Sequence, residues 1–215
     1  MKKILLLTLV LVSFLAFDAF AIDAFGSMFG NLSTAQAIGQ GKAAFGGGIG
    51  IADATSFHGS FTYGLSTYMT GRLRLGGYDP GDYADVQLVF GADLQYQIWS
   101  MNDVGKKPPF EMAVGAIFEF LDMDNASVLE LGGDVIGSYP FLLRGGTTLS
   151  PYGRFNIRLE RFSFDTPVGD GSDSNLEFGF NGGVKWQVSP NFSAYGEFQL
   201  DGNDGLFLGL DISVM

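Results

Sequence analysis

The residues that could do chemistry in this 215-residue chain are few and regularly spaced. Charged residues make up 16% of it, where an ordinary globular chain has about 25%. Many sit two apart in runs whose intervening residues are apolar, as Arg72 and Arg74 do around Leu73. On an extended strand, residues two apart share a face, so the charges collect on one side and the apolar side chains on the other. The charged side carries the cations Arg72, Arg74, Arg154, Arg158 and Lys185. It also carries the acids Asp93, Glu111, Glu119, Glu130, Asp134, Glu160, Glu177, Glu197 and Asp211. Enclosed together at low dielectric, such groups must find partners. Two outcomes follow: an ion-pair network that fills the enclosure, or a narrow, weakly cation-preferring pore, since acids outnumber bases.

Catalytic readings find little to stand on. His58 is the one histidine; placed on the charged side it could act as a base beside a carboxylate, but a lone histidine there is more often structural. The chain is expected to be no enzyme. The Asp-rich segments could bind Ca²⁺, but none keeps the spacing of an EF-hand, so solvated loops are expected and no metal site. Gly46-Gly47-Gly48-Ile49-Gly50 lacks the Gly-Lys-Ser/Thr ending of a phosphate loop and no helix follows, which leaves a small-residue strand surface and no cofactor. A net charge of -11, with Lys106-Lys107 the one basic spot beyond the first residues, excludes nucleic acid as a partner. There is no Cys, so stability takes nothing from disulfides and no lipid can be attached at a cysteine.

The elements that must position these groups announce themselves by a period of two. In Leu176 to Val188, Leu176, Phe178, Phe180, Val184, Trp186 and Val188 share one parity, while Glu177, Asn181, Lys185 and Gln187 share the other. A helix would scatter them around its circumference. Similar alternation begins near Phe45, Phe57, Leu73, Leu94, Met112, Leu129, Phe155, Phe192 and Leu206, giving ten candidate strands. Turn residues separate them: Gly64-Leu65-Ser66, Asp79-Pro80-Gly81-Asp82, Lys106 to Pro109, Asp122 to Asn125, a long stretch around Ser138 to Pro151, Thr166 to Ser174, Ser189-Pro190-Asn191 and Asp201 to Gly205.

The first segment is an address. Lys2 and Lys3, the apolar run Ile4 to Phe17 and Ala19-Phe20-Ala21 form a secretory signal peptide over residues 1–21. Residues 22–42 show no alternation and are expected to be a periplasmic leader or a plug; Leu32 to Gly41 could be a short helix or could enter the lumen. Residues 43–215 are expected to form the barrel. A soluble sandwich hides its apolar face, whereas a membrane barrel turns that face to lipid and keeps the polar one inside. Charge on nearly every strand opposite large Phe, Leu and Trp side chains favours the second. Alternation that runs to the last residues suits a closed sheet, since lipid cannot satisfy an open edge.

On these residues the chain, from about Lys42 to Met215, resembles the small outer-membrane β-barrel proteins of Gram-negative bacteria, the porin-like and OmpA-like barrels. Gly209, Ile212 and Val214 match the glycine and alternating apolar residues with which such proteins end, although Met215 stands where they carry an aromatic residue. The resemblance implies an all-β fold, a closed antiparallel up-and-down transmembrane barrel of about ten strands. It implies residence in the outer membrane, contact with lipid and lipopolysaccharide, and a last strand read by the outer-membrane assembly machinery. With both termini periplasmic, the segments at Asp79, Asp122, Thr166 and Asp201 fall outside. The leading functional expectation is a narrow pore or passive transport channel for small solutes; the alternative is a structural or surface-interaction protein whose lumen is plugged by ion pairs.

Overall fold

A computed structural model describes residues 25–52, 54–79, 85–103, 108–166 and 169–214. The signal segment, Lys106-Lys107 and Met215 lie outside the described residues. The strands are β1 (Ala43–Ile51), β2 (Thr55–Gly64), β3 (Met69–Asp79), β4 (Gln87–Trp99), β5 (Glu111–Met123), β6 (Ala126–Ser138), β7 (Phe141–Leu142), β8 (Thr148–Thr166), β9 (Gly169–Ser189), β10 (Phe192–Leu200) and β11 (Gly205–Val214). Ten of them are long and pair antiparallel with their sequence neighbours. β1 pairs with β11 and β6 with β8, so the sheet closes on itself. β7 is a two-residue arm laid against the start of β8.

The register fixes the tilt. From Gly47 the pairing runs one way through Gly59, Leu75, Phe90, Phe120, Leu129 and Arg161 to Ser174 on β9. The other way it runs through Leu210 and Ala194 to Trp186 on the same strand. The two routes meet twelve residues apart, 186 against 174. A stagger of that size over ten strands inclines them by roughly 40° to the axis.

The barrel has a near end, where β1 starts and β11 finishes, and a far end. At the far end β8 and β9 outrun their neighbours: β9 has no β10 partner before Phe180, yet it pairs with β8 back to Gly169. The polar run Asp170 to Ser174, part of the expected turn, is therefore the upper part of a hairpin. It shows no apolar alternation because it stands clear of lipid with both faces wet. Pro151 also lies within β8, although proline reads as a strand breaker. Its carbonyl accepts from Tyr139 N–H at 3.1 Å just past the end of β6, so its missing N–H faces a gap in the ladder.

The outer surface is apolar. Phe45, Leu73, Leu131, Phe178, Trp186 and Ile212 are exposed, while Arg74, Arg154, Arg158 and Glu197 on the other parity are buried. The described outward-facing residues carry no charge between the near end and Asp79, Asp122 and Arg161 at the far margin. Tyr63, Tyr96, Trp99, Tyr139 and Trp186, all exposed, gather towards the near end, as amphipathic rings do at a membrane boundary. Beside them Tyr68 donates to Asp103 at 3.1 Å, which holds its phenol above the usual 10.0.

An apolar exterior around a charged interior has a direct consequence. Leu131→Arg, at mid-strand on the outer face, is expected to lower folding stability by about 2–4 kcal/mol, and Ser127→Arg near the far margin by about 0–1 kcal/mol. Urea unfolding in lipid vesicles measures both; equal costs would contradict the placement of the lipid band.

Candidate functional site: a lumen filled by the chain's own N-terminal segment

Residues 25–38 form no helix. They run in extended form through the barrel, with bends where φ turns positive at Gly26, Gly30 and Leu32 (φ 45°). The barrel wall holds this segment chiefly by its backbone. At the far end Phe25 N–H donates to Glu160 at 3.0 Å and the Phe25 ring stacks on Phe162. Ser27 N–H donates to Asp201, Met28 N–H to Glu119 at 2.7 Å, and the Ser27 carbonyl accepts from Gln199 at 2.7 Å and Asn203 at 3.1 Å. Towards the near end Ala35 N–H donates to Ser138, Ala37 N–H to Gln97 and Ile38 N–H to Thr70. Gly41 and Lys42 then pair with Gly64 and the chain turns into β1.

At the middle stands Glu197, 1% exposed. Its two oxygens accept from consecutive amides, Asn31 N–H at 2.6 Å and Leu32 N–H at 2.8 Å. They also accept from Tyr152 Oη at 2.7 Å and Asn181 Nδ2 at 2.9 Å. Gly30 makes that approach feasible: its φ of 64° suits glycine, and a Cβ would lie 2.9 Å from the Glu197 carboxylate.

The arginines complete the filling. Arg158, fully buried, contacts Glu130 at 3.3 Å, bonds both the side chain and the carbonyl of Asp201, and donates to Asn156. Arg74 joins Asp93 at 3.1 Å and Glu119 at 3.0 Å, donates to the Gly30 carbonyl at 2.7 Å and lies over the Phe29 ring. Arg72 pairs with Asp93 and Arg154 with Asp134, each at 2.9 Å.

All fourteen charges expected inside fall on the inward parity, and they divide into groups. Arg72, Arg74, Asp93, Glu119, Glu130, Asp134, Arg154 and Arg158 share ion pairs. Glu160 and Glu197 hold the plug, and Glu111 accepts from Gln97 and from Met101 N–H. Glu177, opposite Arg158, is half-buried. Lys185 lies over the Tyr195 ring, and Tyr195 donates to Asp211 at 2.8 Å. These last groups border a cavity of about 40 Å³ towards the near end, lined also by Arg72, Gln95, Thr62 and Thr70. His58 packs against Phe29, and its Nδ1 holds no hydrogen bond. Among the described residues no group of three or more acidic or histidine side chains is placed to hold a metal ion.

Parity combined with charge pointed to those fourteen; it passed over the uncharged Asn156, Asn181, Gln95, Gln97, Gln199 and Tyr152, which parity alone places inward, and it passed over Asp201. Asp201 lies in the β10–β11 turn, where parity has no meaning.

No protein-family model matches the chain, and no curated protein matches it in sequence. Among solved structures it is similar to the KdgM porin, at 7% identity and a TM-score of 0.43 over 80% of this chain and 99% of that one. It is also similar to the N-terminal β-barrel domain of Pseudomonas aeruginosa OprF, at 15% and 0.39 over 82% and 99%. A third is Neisserial surface protein A, at 16% and 0.32 over 80% and 94%. These are likenesses only; what the chain itself shows is a closed ten-strand antiparallel barrel with an apolar outer surface, and its functional reading rests on the lumen.

Removing the Glu197 carboxylate strands two buried amides and two side-chain donors at once. Glu197→Ala is expected to destabilise the folded barrel by about 3 kcal/mol or more, and Glu197→Gln, which keeps one acceptor, by about 1–3 kcal/mol. Denaturant midpoints of the refolded protein read both; a Glu197→Ala midpoint equal to wild type would show that the carboxylate does not hold the segment.

Proposed function

We propose that this protein is a resident of the outer membrane, exported by its leader, whose lumen does not conduct at rest and which works as a structural or surface-interaction component. One observation carries the reading: residues 25–38 occupy the barrel from end to end, bonded through their backbone to the wall. The cavity beside them, bordered by Lys185, Tyr195 and Asp211, is about 40 Å³, room for a few waters at most. A hydrated ion passing along the axis would have to break the Arg–carboxylate contacts or displace the segment.

We place the far end outside. The β8–β9 hairpin rises there beyond its neighbours, and long strand extensions and loops suit the outer face of such barrels. The termini of the sheet then face the periplasm. Work at the surface falls to the far-end hairpin, whose exposed Asp170, Ser172, Asp173 and Ser174 present a polar and acidic face. The passive-channel reading requires the segment to leave the lumen. It draws support from the same contacts, because a wall that bonds backbone more than side chains does not lock one sequence in place. No catalytic role is proposed, since His58 faces a phenylalanine ring without a bonded partner at Nδ1.

Planar-bilayer recording of the full-length protein decides between the two. Silence is expected at moderate voltage and neutral pH. Steady unitary current from the unmodified chain would overturn the closed-lumen reading and favour the channel.

A further inference from the structure

The order of wall contacts along the plug gives it a direction. Phe25 meets Glu160 and Phe162 at the far end, Asn31 and Leu32 meet Glu197 at mid-height, and Ile38 meets Thr70 near the start of β3. β1 begins only after this passage, at the near end, and heads back to the far end. Thirteen residue steps separate Phe25 from Ile38, and an extended chain of that length spans at most about 45 Å, enough to cross a hydrocarbon core of about 25 Å.

We infer that the chain passes through the membrane eleven times, ten as strands and once as a lumen-threading segment, so that whatever precedes Phe25 is presented at the far end beside the β8–β9 hairpin. Phe25 and the start of the barrel therefore lie at opposite ends. In an ordinary barrel of even strand number, the residues ahead of the first strand stay on the side where that strand begins. Here Glu160 and Asp201 hold the entry point at the opposite mouth, through the amides of Phe25 and Ser27. The inference does not depend on which face is outward or on whether the lumen conducts.

The absence of cysteine makes the test direct. Ala24→Cys, Ser172→Cys and Ser66→Cys are expressed singly, and intact cells are treated with a membrane-impermeant maleimide before and after permeabilisation. Ser172, exposed on β9, marks the far-end hairpin and Ser66 the near-end turn. Ala24→Cys is expected to label in the same compartment as Ser172→Cys and in the opposite one to Ser66→Cys, whichever of the two is exposed on the cell. Co-labelling with Ser66→Cys, or protection of Ala24→Cys under both conditions, overturns the inference. Unheated gel mobility confirms that each variant is a closed barrel, and an eight-residue epitope ahead of Phe25, probed by antibody, repeats the assignment without a thiol.

Discussion

The rest of the structure depends on buried carboxylates being satisfied by backbone amides. Glu197 is the centre of this arrangement, with two amides of the N-terminal segment and two wall side chains on its oxygens. Each partner needs the other. A carboxylate cut off from water costs several kcal/mol unless bonded, and an extended segment inside a barrel has amides that no strand can pair. Met28 on Glu119 and Phe25 on Glu160 repeat the exchange. The excess of acids over bases in the lumen, which from composition suggests a cation path, is largely accounted for by this hidden set of neutral donors.

The same constraint explains much of the glycine in the sequence. A ten-strand barrel leaves only slightly more room than its own side chains fill, and a second layer of chain must fit inside. Leu32 rests where Gly48 and Gly209 face inward; a Cβ at either would lie 2.7 or 2.8 Å from its side chain. Within the Gly46–Gly50 run Gly48 makes room for Leu32, while Gly46 and Gly50 make room for Asp211 and Phe207 of the neighbouring strand. Outside, where lipid fills any contour, the same strands carry Phe45, Ile49 and Leu208.

The barrel was legible because a period of two survives in every strand whose apolar face is exposed, and the fourteen charged residues expected inside share the parity opposite to that face. The signal faded where its cause was missing. The upper β8–β9 hairpin has no apolar face, so Asp170 to Ser174 read as a turn. Pro151 reads as a break because sequence does not reveal that β6 ends beside it. The plug was left open between leader, helix and lumen segment because residues 25–38 bury their contacts through backbone atoms, which every residue possesses. Asp201 escaped notice since its role depends on a turn folding inward over Ser27.

Between Ile38 and the first residue of β1 lie only four positions, Gly39 to Lys42. So short a leash keeps the plug at an effective concentration in the millimolar range or above. A segment that slips out is far more prone to reseat than to be replaced by a free peptide making equal contacts. Closure therefore needs little intrinsic affinity, and a soluble competitor starts at a disadvantage that only force on the chain ahead of Phe25, or loss of the leash itself, would remove.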